Sequence, residues 1–179
     1  MLQDIREVLI SKEAIEAKTK ELAERISRDY KGKDLLVVGV LKGSVIFASE
    51  LIKNITIQCE IDFMAVSSYG SSSETTGVVR ILKDLDSEIS GKHILIVEDI
   101  VDSGVTLSYL LNYLKTRNAS SVEIASLLTK PSRRKVDIDC KYVGFETPDE
   151  FLVGYGLDYA EKYRNLPFIG ILKREVYEK

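Results

Sequence analysis

The sequence contains no tryptophan, one histidine, two cysteines and three prolines in 179 residues. Cys59 and Cys140 stand far apart and form no CxxC pair, so the sequence gives no sign of a disulfide framework or a zinc site. No run approaches the roughly 20 apolar residues that a membrane span needs, and no signal peptide is apparent. These absences predict a cytoplasmic chain without a membrane partner.

A strong excess of one charge is also lacking. The 25 basic and 28 acidic side chains give a formal net charge of -3, whereas nucleic-acid-binding proteins usually carry a basic excess. The composition therefore argues against a nucleic-acid partner. With 45% hydrophobic residues, a chain of this length is expected to form one domain, residues 1–179, with its own core.

Short apolar runs alternate with amphipathic segments. The apolar runs that are typical of buried parallel strands cover 35–41 and 93–99, and a third strand is predicted at 122–128. Further strands are predicted at 59–67, 78–83 and 141–146. Helices are predicted at 11–29, 44–53 and 104–117. This order predicts an α/β fold with a central, mostly parallel sheet flanked by helices. Ligands of such sheets bind beyond the carboxyl ends of the strands, so the turns that follow the three buried strands are expected to share one site.

One segment, residues 67–77, is rich in serine and threonine and lies between two predicted strands. Such a composition buries little apolar surface, which predicts a mobile loop. Loops of this length within a domain are often lids over an active site.

The central motif is ILIVEDIVDSGVTL, residues 94–107, where an apolar strand ends in two carboxylates and a helix follows. The first turn of a helix offers free N–H groups and a partial positive charge, which bind phosphate. Gly104 permits close backbone approach. The adjacent Glu98 and Asp99 suit ribose hydroxyls or a hydrated magnesium ion. An ordinary strand-to-helix turn is the alternative for any one of these residues.

VEDIVDSGVTL resembles the signature with which type I phosphoribosyltransferases bind 5-phosphoribosyl 1-diphosphate (PRPP). Four further segments follow the same family order, namely VLKGS, SSYGS, LLTKP and DEFLVGYGLDYAEKYRNLP. The chain is thus similar, from about residue 35 to residue 173, to the hypoxanthine-guanine phosphoribosyltransferase family. The resemblance implies the type I phosphoribosyltransferase fold, with a small hood formed by the N- and C-terminal segments. It also implies transfer of the phosphoribosyl group to N9 of a 6-oxopurine in purine salvage, with Mg²⁺ as cofactor.

The resemblance implies roles residue by residue. The general base beside purine N7 is Asp102. The PRPP site comprises Leu41, Lys42, Gly43, Glu98, Asp99, Ile100, Val101, Asp102, Ser103, Gly104, Val105, Thr106 and Arg164. The purine site comprises Lys130, Phe151, Leu152 and Asp158. The metal ligands are Glu98, Asp99 and Asp158. The loop over the site begins with Ser68 and Tyr69. A non-proline cis peptide bond before Lys42 is a further implication.

The chemistry of these residue types agrees with those roles. In the family that the chain resembles, a lysine at position 130 donates to O6. Such a donor selects a 6-oxopurine over adenine, because the 6-amino group of adenine is itself a donor. The ring of Phe151 provides stacking area without selecting the base. The guanidinium fork of Arg164 suits a phosphate.

Structural alternatives exist for several of these assignments. Asp102 could be only a helix cap, and Arg164 could be a surface ion pair with Glu161. Lys42-Gly43 could be only a turn. The basic run that begins at Arg133 is interpreted as a solvated loop.

Two other readings of the whole chain are a PRPP-sensing regulator that binds nucleic acid and a purely structural α/β domain. The regulator predicts a basic face, an added binding module and the loss of the general base. Relatives form dimers and tetramers, so the resemblance implies a homodimer or a homotetramer without deciding between them.

Overall fold

The structure is a computed structural model that describes residues 1–68 and 79–178. Most of the predicted loop over the site, including Tyr69, therefore lies outside the described residues. Its strands are β1 (Ile5–Ile10), β2 (Leu35–Leu41), β3 (Glu60–Ser68), β4 (Val79–Lys83), β5 (His93–Val101), β6 (Ser121–Thr129), β7 (Tyr142–Glu146), β8 (Leu152–Val153) and β9 (Ile169–Leu172). Its α-helices are α1 (Lys12–Asp29), α2 (Val45–Asn54), α3 (Val105–Lys115) and α4 (Arg174–Tyr177). None of the helices in the described ranges is long and apolar enough to cross a membrane.

The large sheet has the strand order β4-β3-β2-β5-β6-β7. Along this order, β3, β2, β5, β6 and β7 pair in parallel, and only the edge strand β4 runs antiparallel to its neighbour β3. This confirms the predicted central, mostly parallel sheet. The carboxyl ends of β2, β5 and β6 consequently lie side by side at one edge.

The apolar runs indicate strands that are buried on both faces, and the structure has a separate core on each face of the sheet. In β2, Val37 belongs to the cluster under α1 and α2, whereas Val38 belongs to the cluster under α3. Successive side chains of a strand point to opposite faces. Burial on both sides therefore requires the continuous apolar sequence that the chain has at these positions.

Helix α1 begins as its sequence predicts. Ser11 is the N-cap, and its hydroxyl accepts a hydrogen bond from the backbone N–H of Ala14 at 3.2 Å. Such a cap stabilises a helix by about 1 kcal/mol. The expected apolar stripe of Ile15, Leu22 and Ile26 is fully buried against the sheet.

A second, three-stranded antiparallel sheet has the order β1-β9-β8. It joins residues from both ends of the chain, since Ile5 is opposite Leu172 and Val153 is opposite Gly170. This sheet is the small hood that the resemblance implied. Its edge strand β8 brings residues 151–153 over the carboxyl ends of the large sheet, beside Lys130.

Candidate active site

Two adjoining cavities lie where the large sheet meets the hood. The cavity of about 350 Å³ borders the turns after β2 and β5, and the cavity of about 380 Å³ borders the turn after β6 and the strand β8. Ile100, Asp102 and Asp158 line both cavities. The convergence of strand ends that the α/β pattern predicts is therefore present. We call the smaller space the acidic cavity and the larger one the aromatic cavity.

The acidic cavity collects most of the residues to which the resemblance assigns PRPP. It is lined by Leu41, Gly43, Glu98, Asp99, Ile100, Asp102, Ser103, Gly104, Thr106 and Arg164. Three other residues of that set have different positions. The side chain of Val101 is fully buried in the core, and Lys42 and Val105 do not line the cavity. Val105 is nevertheless the first residue of α3, and its backbone N–H donates a hydrogen bond to Oγ of Ser103 at 3.4 Å.

Two glycines shape the floor of the acidic cavity. Gly104 is the N-cap of α3 and has a φ of 82°, a left-handed conformation that favours glycine. A β-carbon at Gly43 would overlap Oδ2 of Asp99. The turn after β2 can therefore approach the carboxylates only because residue 43 has no side chain. The peptide bond between Leu41 and Lys42 is cis.

The acidic pair lies in a poorly solvated position. Burial raises the pKa of Glu98 well above its usual range, and the neighbouring charge of Asp99 raises it further. Burial also raises the pKa of Asp99 to about 6, although its Oδ1 accepts a hydrogen bond from the backbone N–H of Ile100 at 2.8 Å. Buried carboxyl groups with raised pKa values are expected where a cation or hydroxyl ligand normally compensates them.

The carboxylates of the acidic cavity fit a magnesium ion whose remaining ligands come from water and substrate. Among the described residues, no three His, Cys, Asp or Glu side chains converge closely enough to hold a metal by themselves. Magnesium, however, is commonly bound by one or two carboxylates, with water and phosphate oxygens completing the shell. Glu98 and Asp99 offer such a pair, and Asp158 lines the same cavity.

Asp102 occupies the boundary between the cavities and is not the cap of α3. Its Oδ1 is buried and has no hydrogen-bond partner among the described residues. Its Oδ2 lies 3.7 Å from a guanidinium nitrogen of Arg133, whose Nε contacts Asp149 at 2.8 Å. The residue Asp102 lies on the wall of both cavities, where its carboxylate can accept a proton from a ligand.

Lys130 is the buried cation of the aromatic cavity. Lys130 is only 6% exposed, and its Nζ donates a hydrogen bond to the carbonyl oxygen of Glu150 at 2.7 Å. Burial lowers the pKa of Lys130, while the charge of Asp102 opposes that change. The lysine is thus held beside Phe151, and it is not the solvated charge that a lysine at a strand end usually is.

Aromatic rings surround Phe151. The ring of Tyr177 stacks on it with centroids 4.7 Å apart, and the ring of Tyr159 meets it edge-on at 5.5 Å. Leu152 follows in β8, which is the outer strand of the hood, so one side of its backbone has no strand partner within the described residues. These features give the cavity a flat apolar wall beside backbone polar groups.

Arg164 and Asp158 form one unit at the rim of the acidic cavity. An Arg164 nitrogen lies 2.9 Å from Oδ1 of Asp158 and 3.4 Å from Oε1 of Glu161. Another donates to the carbonyl oxygen of Gly156 at 2.7 Å. The Nε atom is buried and has no partner among the described residues. The surface pair with Glu161 is thus present, but it is one contact of several.

Several residues that line the aromatic cavity were not predicted as site residues from the sequence. Arg133, Asp149, Arg174 and Tyr177 line the aromatic cavity. The sequence predicts a solvated loop at Arg133, whereas the structure shows a half-exposed side chain that bridges Asp149 and Asp102. Ser68 ends β3, where it pairs with Val79.

The chain matches the family model of the phosphoribosyl transferase domain over residues 8–160. It is 55% identical over 178 residues to the hypoxanthine-guanine phosphoribosyltransferase of Bacillus subtilis, with 99% of each chain covered. The crystal structure of a hypoxanthine phosphoribosyltransferase from Staphylococcus aureus superposes with a TM-score of 0.98 at 54% identity, covering 100% of this chain and 97% of that one. A hypoxanthine-guanine phosphoribosyltransferase from Bacillus anthracis, solved with HEPES in the active site, gives a TM-score of 0.91 at 51% identity, covering 94% and 99%.

Proposed function

Because this chain belongs to the hypoxanthine-guanine phosphoribosyltransferase family, we propose that it transfers the 5-phosphoribosyl group of PRPP to N9 of a 6-oxopurine. The products are the nucleoside monophosphate, IMP or GMP, and pyrophosphate, and the reaction serves purine salvage. The observation that carries the proposal is the position of Asp102 on the wall shared by the two cavities. A group there can reach both the base and the sugar.

The acidic cavity receives PRPP in this proposal. The backbone N–H groups at the start of α3, with the hydroxyls of Ser103 and Thr106, bind the 5′-phosphate. Glu98 and Asp99 accept hydrogen bonds from the ribose hydroxyls, and the turn at Gly43 and the fork of Arg164 bind the pyrophosphate. A magnesium ion held by the carboxylates of the cavity would neutralise the leaving pyrophosphate.

The aromatic cavity receives the purine. Phe151 stacks on the base, and Lys130 donates to O6. The unpaired side of the backbone at Leu152 meets the edge of the base, as the exposed edge of a strand can. Asp158 lines both cavities, which supports roles beside the base and the metal.

Asp102 acts on the base when bond exchange occurs at C1′. N9 forms its bond to C1′ while the C1′–oxygen bond to pyrophosphate breaks, and positive charge grows on the sugar. The carboxylate of Asp102 accepts the proton that the purine loses at N7. The position of Asp102 on the wall of both cavities supports this assignment. The Ser68-Tyr69 loop excludes water from the charged sugar in this proposal.

The test is pyrophosphate release from PRPP and Mg²⁺ with hypoxanthine, guanine, xanthine or adenine as the second substrate. We expect release with hypoxanthine and guanine and little with adenine; release with adenine alone would contradict the proposal. Asp102→Ala should lower kcat by about 10²- to 10⁴-fold, the usual contribution of a general base, while PRPP binding largely survives. Unchanged turnover would remove Asp102 as the base.

We further propose a cytoplasmic homodimer or homotetramer. Both cysteines are free, which agrees with a reducing compartment. Exposed apolar side chains, among them Val8, Ile61 and Leu82, support association between copies. Analytical ultracentrifugation measures the state, and a monomer at micromolar concentration would contradict this proposal.

A further inference from the structure

A carboxylate stands between the two cations at the rim of the acidic cavity. Nζ of Lys42 lies 2.9 Å from Oε2 of Glu161, and a guanidinium nitrogen of Arg164 lies 3.4 Å from Oε1 of the same side chain. The next residue after Lys42, Gly43, lines the cavity, as does Arg164. Glu161 thus pairs through one oxygen with Arg164, which lines the proposed pyrophosphate site, and through the other with Lys42, whose neighbour Gly43 lines it.

The backbone holds Glu161 in this place. Its N–H donates to Oδ2 of Asp158 at 2.9 Å, and its φ of 63° lies in the left-handed region. The neighbouring Ala160 has a φ of 49°. Few non-glycine residues take this conformation without compensating contacts. The turn therefore holds the carboxylate near Lys42, and the hydrogen bond from Lys42, together with its charge, lowers the pKa of Glu161.

The charge arrangement has a consequence for any anion that enters. The Glu161 carboxylate offsets the charge of Lys42 and, together with Asp158, that of Arg164. A pyrophosphate would otherwise meet these charges. An entering polyanion must therefore either displace Glu161 from its partners or bind beside a negative charge. Both cases weaken the binding of pyrophosphate relative to a site that lacks this carboxylate.

We propose that Glu161 is an internal counter-anion of the pyrophosphate site, which exchanges partners with pyrophosphate and promotes its release. This inference rests on the proposed function. It makes Glu161 a positioning residue, since it acts through Lys42 and Arg164 and contacts neither the sugar nor the base. The pairing is solvent-exposed, with the Lys42 side chain 69% and the Glu161 side chain 66% accessible. We therefore expect an effect of about two- to fivefold, the range of exposed ion pairs.

The experiment replaces the charge and keeps the shape. Glu161→Gln in the full chain should lower the Kd of pyrophosphate by about two- to fivefold, measured by calorimetry with pyrophosphate and Mg²⁺. The inhibition constant of pyrophosphate as product should fall by the same factor, while the KM for hypoxanthine stays unchanged. Salt screens exposed charges, so the difference from the parent chain should shrink at high ionic strength.

The matched control is Glu60→Gln. Glu60 also pairs with a lysine, Lys92, but this pair lies at the amino ends of β3 and β5, the opposite edge of the sheet from the site. A second variant, Glu161→Asn, removes the charge with a residue that tolerates the left-handed backbone. Pyrophosphate bound more weakly or equally by both Glu161 variants would overturn the inference.

The proposed function and the role of Glu161 can be refuted by different results. A parent chain that makes no nucleotide from PRPP and hypoxanthine would refute the function whatever the calorimetry gives. A parent chain that turns over normally, with Glu161 variants that bind pyrophosphate no more tightly, would refute only the role of Glu161.

Discussion

Replacing Lys130 by methionine tests the proposed recognition of the base most directly. Methionine retains an unbranched chain of similar length but removes the charge and the donor. Lys130 is buried, and its single observed acceptor is the Glu150 carbonyl at 2.7 Å. The variant therefore removes one charge-assisted donor from the aromatic cavity, and the acidic cavity is not lined by this residue.

The expected magnitude follows from the strength of that donor. A hydrogen bond to a charged group contributes about 1.5–3 kcal/mol, which corresponds to about a 10- to 150-fold change in an equilibrium or rate constant. We expect kcat/KM for hypoxanthine to fall by this factor in Lys130→Met. The KM for PRPP should change by less than about twofold, because PRPP contacts other residues.

The assay compares initial rates with hypoxanthine and with adenine in the parent chain, Lys130→Met and Lys130→Gln. A glutamine amide can present an oxygen to the 6-amino group of adenine, so the preference against adenine should weaken most in Lys130→Gln. The matched control, Lys92→Met, removes a partly buried lysine at the opposite edge of the sheet. Equal loss of hypoxanthine and PRPP binding in Lys130→Met would refute the reasoning, because it would mean that Lys130 only anchors the Glu150 backbone.

Three further predictions concern other parts of the site. Gly43→Ala places a β-carbon on Oδ2 of Asp99; this overlap costs about 1–3 kcal/mol and should raise the KM for PRPP, and an unchanged KM would contradict it. Tyr177→Ala removes a ring stacked on Phe151, a contact of about 0.5–1.5 kcal/mol, so the KM for hypoxanthine should rise about two- to tenfold, whereas Tyr177→Phe should behave like the parent chain. Burial raises the pKa of Asp99 from 3.8 to about 6, so the folded, ligand-free chain keeps a proton that the unfolded chain loses. Its stability should therefore fall, by up to about 3 kcal/mol, as the pH rises from about 4 to about 6. Urea unfolding should show a flatter pH profile for Asp99→Asn, and parallel profiles would disprove this cause.

The strands of the large sheet could be predicted because local sequence determines them. β2, β5 and β6 are buried on both faces over most of their length, so each is largely apolar and can be recognised without knowledge of its partners. Their shared direction then brought Gly43, Asp102 and Lys130 to one edge. Strand β5 extends two residues beyond the predicted end at Asp99, because Ile100 and Val101 continue its pairing with β6.

The hood is a different case. Its strands are short, and β1 pairs with residues more than 150 positions away. The strand Ile5–Ile10 buries only its last residue, so no local periodicity distinguishes it, and only the resemblance indicated a hood. Arg133 and Tyr177 were missed for a related reason. Their places in the aromatic cavity depend on tertiary packing, and their local sequence resembles that of solvated segments.

The close approach of the hood to the large sheet has a mechanical consequence. A β-carbon at Gly156 would overlap the carbonyl oxygen of Gly43, so these two backbones are in direct contact. Gly156 lies in the segment after β8, so a displacement of that segment toward the large sheet would have to displace the turn after β2 as well. In the proposed reaction the purine part of the nucleotide lies beside β8, and the pyrophosphate lies beside the turn after β2. We therefore expect this backbone contact to couple the release of the two products.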